Sequence, residues 1–188
     1  MDIEIFVEIC REGVILPEYA KPGDSGMDIC AAEDVIIRPG ETVIVPTGLK
    51  VAIPEGYEIQ VRPRSGISLR TPLRITNSPG TIDSGYRDEI GIIVTNSSSP
   101  ARGSASHGES KHGRHGTHNK DKDEHGHGGE ELITIDNKEN RQGTYLIKKG
   151  DRIAQIVLQK VPRMKFTIVD SVKHIGMDRG GGFGSTGV

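Results

Sequence analysis

The sequence has only two cysteines, Cys10 and Cys30, among 188 residues, so no disulfide scaffold is available, and no metal-ligand spacing surrounds either thiol. Both read as small apolar residues of the interior. An excess of charge of one sign is also missing. Lys and Arg number 24 against 26 Asp and Glu, a net of −2, which provides no global basic surface for nucleic acid and leaves a small polyanion as the kind of charged ligand to look for. No apolar run is long enough to span a membrane or to serve as a signal peptide. The pattern G-x-x-x-x-G-K-[ST] is absent as well, which argues against a Walker-type nucleotide site. These absences lead to the expectation of one soluble, cytoplasmic domain that engages neither nucleic acid nor membrane.

What is present is a series of short segments rich in Ile, Val and Thr, several alternating with period two and separated by Gly, Pro, Asn and Asp. Strands are expected at Ile3–Ile9, Val35–Ile37, Thr42–Val45, Leu49–Ile53, Tyr57–Val61 and Glu89–Val94. Further strands are expected at Leu132–Ile135, Thr144–Ile147, Arg152–Leu158 and Met164–Val169. One or two helical turns are expected near Ser65–Arg70. The pattern is all-β, a sandwich or jelly roll.

Residues 97–131 interrupt it. Two alanines aside, the block carries no apolar periodicity and cannot bury enough surface to fold alone. Six of the seven histidines lie there: His107, His112, His115, His118, His125 and His127. A solvated spacer is the leading reading, with chelation of Zn²⁺ or Ni²⁺ and a protein-partner site as the alternatives. Asp121-x-Asp123-x-His125-Gly126 imitates the start of an EF-hand loop, but Leu132 stands where the bidentate Glu belongs, which argues against Ca²⁺.

The C-terminal strip Arg179-Gly-Gly-Gly-Phe183-Gly184-Ser185-Thr186-Gly187 is unlike any core strand. Its glycines let backbone N–H groups approach phosphate oxygens, Arg179 can pair with phosphate charge, Ser185 and Thr186 can donate hydrogen bonds, and Phe183 offers a face to a flat base. A mobile arm over residues 176–188 is expected.

Four internal segments accompany that strip: Pro22-Gly-Asp-Ser-Gly26-Met-Asp28, Pro63-Arg64-Ser65-Gly66, Asn77-Ser-Pro-Gly80-Thr81-Ile82-Asp83-Ser-Gly-Tyr86-Arg-Asp-Glu89 and Gly150-Asp-Arg152-Ile-Ala-Gln155. In order and in type the five segments resemble the motifs of the trimeric dUTP pyrophosphatase (dUTPase) family, over nearly the whole chain except the block at 97–131. The resemblance implies a jelly-roll homotrimer that hydrolyses dUTP to dUMP and pyrophosphate with Mg²⁺, by attack of water on the α-phosphorus. It implies Asp83 as the base that activates the water, ionised and presented by a hairpin lined by Gly80 and Gly85. Asp28 is implied to reach Mg²⁺ through water, which suits an ion held chiefly by substrate phosphates.

Arg64, Ser65 and Gly66, just before the short helix, form an anion cradle in this reading, and Gln155 adds a phosphate donor. Asn77 and the main chain of Gly80, Thr81 and Ile82 pair with the edge of uracil, and Tyr86 packs under the deoxyribose where a 2′-hydroxyl would clash. Phe183, with Arg179, Gly184, Ser185 and Thr186, closes over the nucleotide. Each site is expected to draw on several subunits. Three features depart from the usual pattern: Asp88 stands where Gly is common, Gly85 replaces a frequent second Asp, and only three glycines separate Arg179 from Phe183, where relatives commonly have four residues. A dCTP deaminase of the same fold, and a nucleotide-gated regulatory binding protein that uses the insertion, are the alternatives.

Overall fold

The computed structural model describes residues 2–99, 131–137, 139–178 and 180. Among them are twelve strands and one helix. The first half holds β1 (Phe6–Ile9), β2 (Met27–Cys30), β3 (Val35–Ile37), β4 (Thr42–Pro46), β5 (Leu49–Ala52) and β6 (Tyr57–Pro63), followed by α1 (Ser65–Arg70). Then come β7 (Leu73–Ile75), β8 (Gly80–Ile82), β9 (Gly91–Asn96), β10 (Leu132–Thr134), β11 (Thr144–Ile147) and β12 (Arg152–Lys160). They form sheets of order β2-β12-β6-β8, β4-β9-β7, β10-β11-β3 and β1-β5. All the pairings are antiparallel except β10 with β11.

Alternation sets the faces. Along β6, Ile59 and Val61 are buried while Glu58, Gln60 and Arg62 point the other way, half-exposed. Ile29, Ile37, Val45, Leu49, Ile92 and Tyr145, each 0–2% exposed, meet in one core, which burial of apolar area stabilises. Among the described residues every buried side-chain polar atom has a hydrogen-bond partner. Asn96 Nδ2 donates to the carbonyls of Ile37 and Gly143, Tyr145 Oη to that of Arg141, and Thr47 Oγ1 to that of Ile90. Gly48 sits at φ +71°, where a Cβ would lie 2.3 Å from Val14 Cγ2, so only glycine fits this tight entry to β5.

Nine of the twelve strands and the helix lie where the periodicity places them, and the differences are informative. Met27–Cys30, Leu73–Ile75 and Gly80–Ile82 are strands that alternation did not reveal, because each is only three or four residues long and carries a charge or a glycine; their partners specify them. Met164–Val169, expected as a strand, pairs with none of the described strands. Met164, Phe166 and Ile168 keep the period of two but are 83%, 85% and 99% exposed. The expected Asn77–Tyr86 hairpin is not a pair of mutually bonded arms: β8 pairs with β6, and β7 with β9.

Ser97 and Ser98, the first residues of the block expected over 97–131, are hydrogen-bonded to the fold beside them. Ser97 N and Oγ donate to the Pro72 carbonyl, and Ser98 is 3% exposed with its N–H on Asn96 Oδ1. The six clustered histidines lie outside the described residues. Of the two cysteines, Cys30 is buried as expected and Cys10 only partly. Among the described residues, no helix is long and apolar enough to cross a membrane.

Candidate active site

The polar face of the sheet β2-β12-β6-β8 carries the first cluster. Register places Gln155 opposite Asp28 on one side and opposite Arg62 on the other. Arg64, the N-cap residue of α1, makes no side-chain cap bond. Its guanidinium instead crosses to β2, where Nε and Nη2 donate to the two oxygens of Asp28 at 2.9 and 3.0 Å, while Nη1 donates to the Arg152 carbonyl. Gln155 Nε2 donates to Asp28 Oδ1 at 3.2 Å, and Arg152 Nη1 lies 3.4 Å from Oδ2. Two guanidinium groups thus share one carboxylate, and the cluster is left with a net positive charge beside a cavity of about 760 Å³ lined by Asp28, Arg62, Arg152 and Gln155. Ser65 is exposed, and a Cβ built at Gly66 would meet nothing within 4 Å, so a ligand can approach the backbone there.

The donor set fits a hydrated divalent ion that is held mainly by phosphates. Asp28 is one carboxylate facing the cavity with its side chain 21% exposed. Among the described residues no group of three or more His, Cys, Asp or Glu could form a protein-only metal site.

The second cluster is at the other end of the sheet. Asp83 follows β8 and is exposed, in a turn closed by the Tyr86 N–H on the Asp83 carbonyl at 3.0 Å. Arg87 Nη1 donates to the Ser84 and Tyr86 carbonyls, and Tyr86 Oη to that of Glu89. Tyr86 is 38% exposed, so its ring remains reachable. Asp83 lines a separate cavity of about 420 Å³ with Tyr57, Glu58, Ser84 and Phe166. As the outer strand of its sheet, β8 has one main-chain edge without a strand partner among the described residues. A Cβ at Gly80 would sit 3.2 Å from Asn77 Nδ2, so the glycine lets that amide lie close against the edge. The side chain of Ile82 is buried, which leaves its main chain for contact. Asp88 is exposed.

The turn carrying Asp83 is anchored by Glu89. Arg11 Nε and Nη2 donate to its two oxygens at 2.7 and 2.9 Å, the Gly48 N–H donates to Oε1 at 2.7 Å, and Arg11 Nη1 reaches Glu33 at 2.8 Å. The Arg11 hydrogen bonds, against burial and with help from the Gly48 N–H, hold the Glu89 carboxyl below its ordinary value of 4.5. A group whose folded value is depressed contributes stability above its unfolded value and loses it as pH falls through the folded one. Glu89→Gln is therefore expected to lower the Tm at pH 7, with the gap to wild type shrinking from about pH 4.5 downward. Thermal melts across pH 3–7 measure this, and a constant gap would refute it.

The two clusters do not meet within one chain. Ile82 stands opposite Ile59 and Gln155 opposite Arg62. At about 3.3 Å per residue and about 4.8 Å per strand, Asp83 is roughly 16 Å from Gln155 and roughly 20 Å from Arg64, backbone to backbone. A general base must stand within about 3 Å of the proton it takes. Arg179, Phe183, Gly184, Ser185 and Thr186 lie outside the described residues. Sequence reasoning passed over Arg62 and assigned no role to Arg152; the signal for Arg62 is the polar period-two series Glu58, Gln60, Arg62 on an otherwise apolar strand.

A family model for dUTPase matches residues 12–101. A deoxyuridine 5'-triphosphate nucleotidohydrolase of Clostridium tetani is 34% identical over 183 residues, covering 96% of this chain and 94% of that protein. The chain belongs to the dUTPase family. A family member of the same description from Hydrogenobaculum sp. is 37% identical, with 99% of both chains covered. Among solved dUTPase structures, that of phage phi11 of S. aureus superposes with a TM-score of 0.70 at 27% identity, over 92% of this chain and 100% of the other. The phi11 enzyme coordinates a structural Mg(II) ion. The dUTPase of Staphylococcus bacteriophage 80alpha, solved with dUpNHpp, gives a TM-score of 0.73 at 30% identity over 98% and 99% of the chains. It is one of the phage dUTPases that control transfer of virulence genes by a G protein-like mechanism.

Proposed function

We propose that this dUTP-hydrolysing member of the family releases dUMP and pyrophosphate at a site assembled from more than one copy of the chain. The observation that carries this reading is the separation of roughly 16–20 Å between Asp83 and the Gln155–Arg64 cluster on one sheet. A second copy can bring the Asp83 turn of one chain to the phosphate cluster of another, and a homotrimer repeats the contact with closed symmetry. The exposed apolar row Met164, Phe166 and Ile168 supports association, because a neighbour would cover it.

In the assembled site Asp83 accepts the proton of a water as its oxygen bonds to the α-phosphorus and the bond to the bridging oxygen breaks; pyrophosphate carries off that electron pair. Arg64, Ser65, Gly66 and Gln155 hold the phosphates. The anionic oxygens replace Asp28 as the partner of the Arg64 fork. The carboxylate released in that exchange is the group that would hold Mg²⁺ through its waters. When bound, the ion supplies charge neutralisation for the triphosphate. Asn77 and the free edge at Gly80, Thr81 and Ile82 take the edge of uracil, and the Tyr86 ring takes the deoxyribose.

Complementation tests this. Asp83→Asn and Arg64→Ala should each be inactive alone. Trimers refolded from an equal mixture should regain about one quarter of wild-type turnover, since one site in four then draws Asp83 and Arg64 from intact copies. No recovery in trimers of confirmed mixed composition would sink the shared site. A second reading, in which nucleotide occupancy also gates a regulatory contact, is favoured by the likeness to the 80alpha enzyme. The insertion at 97–131 would be its contact segment, and binding of dUTP without cleavage would move the function there.

A further inference from the structure

We propose that Arg62 is an additional phosphate-binding residue that grips the pyrophosphate half of the triphosphate. The inference rests on the proposed function above. Arg62 projects from the polar face of β6 directly opposite Gln155 and lines the same cavity as Asp28, Arg152 and Gln155. Its electrostatic situation differs from that of its neighbours. Arg64 and Arg152 share the Asp28 carboxylate, whereas Arg62 has no carboxylate partner among the described residues.

It is held instead by a neutral amide. Nε and Nη2 donate to Gln60 Oε1 at 3.2 and 2.8 Å. Gln60 is locked in that orientation because its Nε2 donates to Glu58 Oε1 at 2.7 Å. The relay Glu58–Gln60–Arg62 fixes the plane of the guanidinium without neutralising it. A half-buried guanidinium, pre-oriented and uncompensated, lacks an anionic acceptor, and bidentate pairing with phosphate oxygens matches its fork. Two acidic groups, Glu18 and Asp24, also line the cavity. Asp24 is turned to the Lys21 N–H at 2.9 Å, and Glu18 is exposed. The cross-strand neighbour Gln155 is already assigned to the phosphates, so the pyrophosphate half is the part of the ligand that reaches Arg62.

The test compares wild type with Arg62→Gln and Arg62→Lys in the full-length protein. It measures kcat and KM for dUTP, and inhibition constants for dUMP and inorganic pyrophosphate. For Arg62→Gln, KM for dUTP and the inhibition constant for pyrophosphate should both rise about 10-fold or more. Inhibition by dUMP, which lacks the pyrophosphate, and kcat should change less than about threefold, with the melting temperature unchanged. Arg62→Lys, which keeps the charge but not the fork, should fall between. An unaltered KM, or dUMP and pyrophosphate weakened by the same factor, would overturn the proposal. If wild type fails to cleave dUTP, the functional reading falls on its own. Weakened binding of pyrophosphate to Arg62→Gln would then still support the anion site, and unchanged binding would remove it.

Discussion

Asp83→Asn is expected to lower turnover of dUTP by about a thousandfold, within the range removed with a general base, while leaving folding and substrate affinity near those of wild type. The structural grounds lie in where the side chain sits. Asp83 is exposed and makes none of the side-chain bonds that hold the turn, which is closed by the Tyr86 N–H, Arg87 and Glu89. Replacing its carboxylate with an isosteric amide therefore removes a proton acceptor and little else. A dUpNHpp titration should show affinity within a few-fold of wild type, and thermal melts should coincide. Unimpaired turnover would reassign the base; Glu58, which lines the same cavity, would then be the next carboxylate to replace.

Deleting the residues after Asp178 is expected to reduce kcat/KM by about a hundredfold or more, the scale of losing a positioned donor to a phosphoryl oxygen. The described fold makes no use of the deleted segment for its core: the last strand ends at Lys160, and residues 161–178 are largely exposed. The truncated chain should therefore melt at the wild-type temperature and sediment as the same oligomer. The loss should be reproduced in part by Arg179→Ala, through phosphate charge, and by Phe183→Ala, through the base face. Full activity of the truncated enzyme would show that the glycine-rich strip takes no part in closure.

Most strands that were legible from sequence have a buried face, although β1, Phe6–Ile9, was legible with all four of its residues exposed. β11, Thr144–Ile147, and β3, Val35–Ile37, appear with the expected bounds because each is a short run of β-branched, aromatic and aliphatic residues bounded by charged and turn residues. The short strands β2, β7 and β8 were not legible, since in them pairing with β12, β9 and β6 outweighs local preference. Met164–Val169 failed in the opposite direction. The period was read correctly, but the partner it calls for is not among the described strands of its own chain.

The site divides in the same way. Residue type and motif order determined the chemistry: a carboxylate in a glycine-flanked turn, an Arg-Ser-Gly step before a helix, a Gln after a charged turn. Those choices depend on local bond-forming capacity, which a sequence carries with it. Tertiary structure alone decided that Asp28 is clamped by Arg64, Arg152 and Gln155, that Arg62 stands beside them without a carboxylate among the described residues, and that Asp83 is held far from all five. Each of these facts depends on strand register, and register is specified by long-range burial and pairing over the whole sheet rather than by any neighbouring residue.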